Sequence, residues 1–431
     1  MIAPYSQSKL ELVAAGFAAL FAVGLQILTT VHFGATAVRF GITDLLIPVV
    51  FIIWFAVRRC GAPSTIQWQV PHLWVWLGLM SGWLVISVFI GHYKMGEWTI
   101  WAVVSKGVGW FSLITYFWAG GILRTWGDYH NRERFFRVLV LFAAFACIVS
   151  FGFFVTYKSG FQLNWGEVGN YDRLRGFSQN TNAFAILTSI AFVICIGCTN
   201  PKPLFTPIVE SLIGGVFLAG ILLCGSRSGF LAVLVGTIGL AIARALRWRA
   251  VAFSVIIALG IGLLVLVFAE AGNNILAEKD GGGGHSAYLL HSPMVSNKSL
   301  DHRLTNIQSA ISLWRDSPIT GIGIGGFLAN SSRLTLNNPS TLHNSALWVL
   351  TEMGLVGLAL FSGFFLYVTW HLYRRARAVP SSRDAQLLFA ILLGFAAASI
   401  GTEILYQRHL WFLGGFLLAL PTSVRVSPDV T

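Results

Sequence analysis

Residues 228–270, SGFLAVLVGTIGLAIARALRWRAVAFSVIIALGIGLLVLVFAE, contain two apolar runs that meet at a short basic segment. A helix that crosses the hydrocarbon core of a bilayer needs about 20 predominantly apolar residues. The runs at 228–245 and 250–270 have this length, and Arg244, Arg247 and Arg249 lie at their junction. The stretch predicts two consecutive membrane spans joined by a basic loop.

Composition extends this prediction to the whole chain of 431 residues. Hydrophobic residues make up 55% of it and charged residues 11%, whereas soluble domains carry about 25% charged residues. The five cysteines lie in or beside apolar runs and indicate no disulfide framework. We therefore predict an all-α polytopic membrane protein of about twelve transmembrane helices. The predicted spans are 10–30, 38–57, 73–92, 98–122, 134–157, 182–198, 207–224, 228–245, 250–270, 343–371, 385–404 and 409–424.

The distribution of lysine and arginine predicts how these helices are oriented. Basic residues in short connections are retained on the cytoplasmic side of a membrane. With both termini in the cytoplasm, the dense basic clusters lie inside, so the net charge of +12 needs no nucleic-acid partner to explain it. The residues placed inside are Lys9, Arg58, Arg59, Arg124, Arg132, Arg134, Arg137, Lys202, Arg244, Arg247, Arg249, Arg374, Arg375, Arg377, Arg383 and Arg425.

Two longer connections, at 158–181 and 271–342, then lie on the outer side. The second is predicted to begin with a flexible part that contains glycines at 281–284. An amphipathic helix is predicted at 301–316, with Asp301 as its N-cap. The predicted organisation is helices one to nine in 1–270, the outer loop in 271–342 and helices ten to twelve in 343–431.

Five arginines depart from the positive-inside bias, because the predicted orientation places them on the outer side. They are Arg173, Arg175, Arg227, Arg303 and Arg408. A single outer arginine is readily explained, since its side chain can extend to lipid headgroups or pair with a carboxylate. Several arginines from separate loops on one face instead indicate a polyanionic ligand, because the guanidinium group binds phosphate oxygens well. A diphosphate on a membrane lipid would lie at this depth.

His343 opens the tenth predicted span, where it precedes Asn344. A histidine at a helix end is often only a residue with satisfied hydrogen bonds. Its ordinary pKa of about 6.5 nevertheless suits a general base near neutral pH. Nearby arginines are expected to lower that pKa and keep the imidazole neutral. His343 is therefore the candidate base.

Four ionisable residues lie within predicted spans, namely Asp44, Lys106, Glu210 and Glu352. Charged groups are expensive in lipid and face the interior of a helical bundle. Such a set could form the proton path of a transporter, but we favour pairing between helices. The outer loops show no His, Asp or Glu set at metal-ligand spacing, so no metal site is predicted.

Four segments, taken in this order, resemble the O-antigen ligase and polymerase superfamily of bacterial envelope glycosyltransferases. They are Arg173-Leu174-Arg175-Gly176 with Asn180-Thr181-Asn182-Ala183, the turn Ser226-Arg227-Ser228-Gly229, the helix from Asp301-His302-Arg303-Leu304 to Gly321-Ile322-Gly323, and His343-Asn344 followed after nine residues by Gly354-Leu355-Val356-Gly357. The spaced histidine motif is the most specific of the four. Thr181 departs from the family pattern, which commonly has proline before the asparagine.

The resemblance implies a GT-C-like glycosyltransferase of the bacterial inner membrane with a periplasmic site, no metal and no cofactor. The implied donor is a glycan on undecaprenyl diphosphate, and the implied acceptor is a sugar hydroxyl of lipid A-core oligosaccharide. Membrane lipid is the other expected partner, and nucleic acid is not expected. The implied site residues are His343, Arg227 and Arg303 as catalytic groups, Arg173 and Arg175 as further diphosphate ligands, and Asn344 and Asn182 in support.

Alternatives stay open within and outside the superfamily. An O-antigen polymerase joins repeat units to one another, and a protein O-oligosaccharyltransferase usually has a longer chain; chain length and the histidine spacing favour the ligase. A transporter or flippase of a lipid-linked anion belongs to another class, and the ionisable residues within the spans support it. It predicts movement of lipid across a vesicle membrane without a new glycosidic bond.

Overall fold

The computed structural model describes residues 7–33, 36–59, 66–126, 129–158, 173–178, 180–197, 204–279, 297–331, 342–379 and 382–420. These residues are mostly helical, and five helices are long and apolar enough to cross a membrane. They are Leu73–Met95, Asn131–Thr156, Pro207–Cys224, Trp248–Val265 and Ser345–Ala378. A polytopic, predominantly α-helical membrane protein is thus supported, and the number of spans stays a prediction. The predicted glycine-rich stretch at 281–284 lies outside the described residues.

Each predicted span overlaps a helix of the structure. The helices are α1 (Gln7–Gly24), α2 (Ile42–Arg59), α3 (Leu73–Met95), α4 (Gly109–Trp126), α5 (Tyr129–Lys158), α6 (Thr181–Gly197), α7 (Pro207–Cys224), α8 (Arg227–Ile242), α9 (Trp248–Lys279), α10 (Asn297–Arg315), α11 (Gly326–Ser331), α12 (Ser345–Ala378), α13 (Arg383–Ser399) and α14 (Arg408–Leu418). A π-helix at Trp101–Val108 leads into α4, and a 3-10 turn at Gly176–Ser178 precedes α6.

A β-hairpin between α1 and α2 corrects the all-α expectation. Strands β1 (Leu28–Phe33) and β2 (Thr36–Gly41) pair antiparallel. The predicted spans at 10–30 and 38–57 extended into these strands, whereas α2 begins only after them. The segment is rich in threonine, valine and phenylalanine, which favour strands. Periodicity alone does not distinguish a short apolar strand from the end of a helix.

Helix α10 begins four residues earlier than predicted, at Asn297 instead of Asp301. Asp301 therefore lies inside the helix, and its predicted role as N-cap is wrong. Lys298 and Leu300 are good helix formers, which explains how the helix begins before the residue that was expected to cap it. The C-terminal end at Arg315 agrees with the prediction.

Helix α6 lies at the centre of the bundle, because its residues 183–197 are all buried. It packs against α7 and α8, and α8 packs against α13. A Cβ atom at Gly394 of α13 would lie 2.5 Å from the carbonyl oxygen of Ala232 in α8, so only glycine permits this close helix contact. Helix α9 instead exposes apolar side chains such as Leu259 and Leu263. An exposed apolar face of this kind is expected of a helix that contacts lipid.

Candidate active site

The turn between α7 and α8 carries Arg227 and is held by Arg173. Helix α7 ends at Cys224, and Gly225 follows in the left-handed conformation, with a φ of 58°. Arg173 donates from Nε to the carbonyl oxygen of Cys224 and from Nη2 to that of Gly225, each at 2.7 Å. These carbonyls would otherwise be left without partners at the helix end. Arg173 thus fixes the turn that positions Arg227 as the first residue of α8.

Two asparagines join the start of α6 to the same turn. The side-chain oxygen of Asn180 accepts hydrogen bonds from the backbone N–H groups of Asn182 and Ala183, at 2.9 and 3.0 Å, and so caps α6. Asn182 in turn accepts a 2.8 Å hydrogen bond from the hydroxyl of Ser226, the N-cap of α8. Sequence reasoning missed the role of Asn180, although an asparagine directly before the helix start was the available signal.

Four arginines from three separate segments lie in one electrostatic neighbourhood, which we call the arginine cluster: Arg173, Arg175, Arg227 and Arg303. Burial lowers the pKa of Arg173, and the positive charges of the other three lower it further. Burial likewise lowers the pKa of Arg303, with a further contribution from Arg227. All four side chains are partly exposed. The cluster therefore concentrates positive charge at an accessible, partly dehydrated position.

Helix α10, which carries Arg303, packs against α12. The hydroxyl of Thr351 in α12 contacts the carbonyl oxygen of Ala310 at 3.5 Å. Further along, the N–H of Leu355 donates to the carbonyl oxygen of Pro318 at 2.9 Å. Helix α10 and the segment that follows it therefore both pack against α12 around Thr351 and Leu355.

This packing depends on a break in α12 at Gly354, where φ is 68° and ψ is −168°. The broken helix leaves backbone groups that the glycine-rich segment after α10 satisfies. Ile322 and Gly323 donate to the carbonyl oxygens of Thr351 and Glu352 at 3.0 and 2.9 Å. Backbone groups at membrane depth need such partners because water does not reach them. The Gly354-x-x-Gly357 part of the histidine motif thus has a structural explanation.

His343 lies directly before the N-cap of α12 and is exposed. The cap residue Asn344 accepts a 2.9 Å hydrogen bond from the N–H of Leu347 and donates a 3.0 Å bond to the carbonyl oxygen of Ile400. A Cβ atom at Gly401 would lie 2.6 Å from the hydroxyl of Ser228, next to Arg227. The connection between α13 and α14 thus lies between the helix start that follows His343 and the helix start that carries Arg227.

Arg408 does not belong to this group, although the sequence placed it on the same outer side. Its Nε atom lies 3.1 Å from Oδ1 of Asp44, and the hydroxyl of Tyr116 donates to the same oxygen at 2.7 Å. The pair connects α14 with α2. Arg408 therefore neutralises a carboxylate inside the bundle.

The other ionisable residues within the predicted spans also have partners. Lys106 pairs with Glu403 in the connection between α13 and α14, and Glu210 pairs with Arg247 in the connection between α8 and α9. Pairing was predicted between helices, whereas these partners lie in connections. Glu352 differs, because its carboxylate accepts hydrogen bonds from the indole of Trp348 in the same helix, at 2.7 Å, and from a backbone N–H of α11, at 3.1 Å. These contacts favour a structural role over a proton path.

Comparison with known proteins bears on this arrangement. No curated protein matches the chain. The family model described as O-antigen ligase matches residues 212–362, a region that contains Arg227, Arg303 and His343. Arg173 and Arg175 lie before it. The match supports the resemblance seen in the sequence motifs, over residues 212–362.

Proposed function

We propose that this protein transfers O-antigen polysaccharide from undecaprenyl diphosphate to a sugar hydroxyl of lipid A-core oligosaccharide, at the periplasmic face of the bacterial inner membrane. The family match supports a function within the ligase and polymerase superfamily. The observation that carries the specific proposal is the arginine cluster, in which three separate segments collect positive charge at one accessible place.

The charge of the cluster suits a diphosphate. Bringing guanidinium groups together in a partly buried place costs free energy through repulsion and lost hydration. A bound diphosphate would reverse the sign of that interaction and accept several charge-assisted hydrogen bonds. Arg227 and Arg303 are the proposed catalytic arginines, and they would stabilise the negative charge that develops on the departing phosphate oxygen. Arg173 has a double role here, because two of its N–H groups already hold the turn that carries Arg227.

His343 is the proposed general base. Its imidazole accepts the proton of the acceptor hydroxyl while that oxygen forms a bond to the anomeric carbon of the donor glycan. The bond from this carbon to the diphosphate oxygen breaks, and its electron pair leaves with undecaprenyl diphosphate. Direct displacement inverts the configuration at the anomeric carbon. The proposed reaction needs no covalent enzyme intermediate, metal or cofactor.

The test uses purified protein in lipid nanodiscs with undecaprenyl-diphosphate-linked O-antigen and lipopolysaccharide that lacks O-antigen. The wild-type protein is expected to attach the polysaccharide to the acceptor, with unchanged rate in EDTA. His343→Ala is expected to retain donor binding with only slow residual transfer. Full transfer by a folded His343→Ala protein would refute the base assignment, and loss of activity in EDTA that one divalent ion restores would refute the metal-free reaction.

The acceptor distinguishes the ligase from its alternatives. A polymerase would lengthen the lipid-linked donor and leave the lipopolysaccharide unchanged, and a protein O-oligosaccharyltransferase would require a polypeptide acceptor. A flippase would move the donor across vesicles without a new glycosidic bond. The ion pairs Lys106–Glu403 and Glu210–Arg247 weigh against the flippase, because they neutralise charges that would otherwise suggest a transport path.

A further inference from the structure

Lys106 is a buried lysine that the proposed reaction does not use. It lies in the π-helix before α4 and is 4% exposed. Its ammonium group pairs with Glu403 and lies 4.2 Å from the ring centroids of both Trp348 and Tyr406. The hydroxyl of Tyr406 also donates to the backbone carbonyl of Lys106 at 2.9 Å. A π-helical turn is rare and is frequently found at functional sites.

The partners of Lys106 belong to two elements that frame the candidate active site. Glu403 and Tyr406 lie in the connection between α13 and α14, and Trp348 lies in the first turn of α12. A buried charge with an opposite charge and two aromatic faces is strongly fixed in position. Lys106 therefore fixes this connection against the start of α12.

The same connection contacts both proposed catalytic segments. The hydroxyl of Ser345, two residues after His343, accepts a 3.0 Å hydrogen bond from the N–H of Ile404 and lies 3.4 Å from the carbonyl oxygen of Thr402. On its other side the connection packs at Gly401 against Ser228 of α8. A shift of the connection would therefore change the distance between the two helix starts.

We propose that Lys106 and Glu403 are positioning residues that fix the spacing between His343 and Arg227. The inference rests on the proposed function for its catalytic consequence. A base displaced by about 1 Å from a reacting hydroxyl lowers the rate by about 100-fold. The pair acts through the connection at 400–406 and does not itself contact the diphosphate.

The main experiment removes both charges together in Lys106→Met/Glu403→Met. Removing one partner alone would leave an uncompensated buried charge, whereas replacing a whole buried pair by apolar residues of similar volume is often neutral for stability. The kcat of transfer is expected to fall roughly 10- to 100-fold with an unchanged KM for the lipid donor. A wild-type kcat in the folded double variant would overturn the proposal.

A matched control is available near the start of α7, at the end of that helix away from Arg227. Glu210 is buried and pairs with Arg247, and this pair lies away from both proposed catalytic segments. Glu210→Met/Arg247→Met is expected to keep the wild-type kcat. An equal loss in this control would show that any buried ion pair affects turnover through general stability, and it would also overturn the proposal.

Combination with His343→Ala separates positioning from a merely structural role. If Lys106 acts through His343, the residual slow transfer of His343→Ala is expected to fall no further when the Lys106 and Glu403 changes are added. A further fall by the same factor would contradict the proposed route.

Hydrogen–deuterium exchange tests the same link without activity. The double Lys106 and Glu403 variant is expected to exchange faster at 342–348 and 400–407 than wild type, with unchanged exchange in α9. Unchanged exchange in both segments would overturn the positioning role. A wild-type protein without transferase activity would refute the proposed function, and the exchange result would still decide whether the pair holds this connection.

Discussion

The arginine cluster and the ion pairs inside the bundle differ in the charges that surround their arginines. Arg247 and Arg408 each meet a carboxylate of this chain, Glu210 and Asp44. In the cluster, the charges that shift the pKa of Arg303 and Arg173 downward come from other arginines. The interior pairs bring opposite charges together, whereas the cluster brings like charges together.

The difference separates charges that serve the fold from charges that serve a ligand. A buried pair loses stability when one partner is removed, because the other charge stays in a place without water. An arginine surrounded by arginines behaves in the opposite way, since removing one relieves repulsion in the remainder. The two regions are therefore expected to respond differently to the same substitution.

The largest expected effect is that of the proposed base. His343→Ala is expected to lower the transfer rate by about 100- to 10,000-fold, the range usual for a lost general base. Because His343 is exposed, thermal stability should stay at the wild-type level. His371→Ala near the other end of α12 is the matched control and should transfer normally. A rate loss in His343→Ala that is matched by lost stability would remove the argument for catalysis.

Arginine substitutions test whether the arginine cluster and the interior ion pairs serve different purposes. Arg227→Ala and Arg303→Ala are each expected to slow transfer by about 100-fold, as for the loss of one donor to a developing negative charge. Both should stay folded. Arg247→Ala should instead destabilise the protein by about 3–5 kcal/mol, because it leaves Glu210 buried without its partner. Transfer rates and thermal unfolding in nanodiscs measure both effects, and equal stability losses in all three variants would erase the distinction between the two regions.

Much of this distinction was predictable from charge placement along the sequence. The positive-inside bias singled out Arg173, Arg227 and Arg303 as residues that need a special explanation, and the structure brings them together. The positive-inside bias also grouped Arg408 with them, whereas Arg408 pairs with Asp44. Sequence position gives the side of the membrane but not which carboxylate lies within reach across the bundle.

Features that depend on contacts between distant segments were not predictable. The break in α12 is one, because its backbone groups are satisfied by residues about 30 positions earlier in the chain, such as Ile322 and Gly323. The hairpin of β1 and β2 is another, since its apolar residues also fit the neighbouring spans. Lys106 was recognised as a costly charge in lipid, but only the fold shows that Glu403 is its partner.

Gly354→Ala tests whether the break in α12 requires glycine at this position. The φ of 68° with a ψ of −168° is essentially restricted to glycine, and an added Cβ atom would lie 2.2 Å from the carbonyl oxygen of Ile319. We expect a loss of stability of about 1–3 kcal/mol from the backbone conformation alone. Gly82→Ala is the control, because a Cβ atom there meets nothing within 4 Å. Equal unfolding temperatures for the two variants would show that α12 can relax at this point.

The smallest expected effect concerns the binding of an anion to the cluster. Inorganic pyrophosphate at tenfold its Kd should stabilise the wild-type protein by about 1.4 kcal/mol, because a ligand that binds only the native state adds this free energy. The gain should shrink as salt rises from low to physiological concentration, since exposed charges are screened more than buried pairs. Arg227→Ala should reduce the gain, while Glu210→Met/Arg247→Met should leave it unchanged, because that pair already has its counter-charge. If pyrophosphate stabilises the Arg227→Ala protein as much as wild type, then the anion does not act by relieving repulsion within the cluster. The cluster and the interior ion pairs would then not differ in their response to an anion.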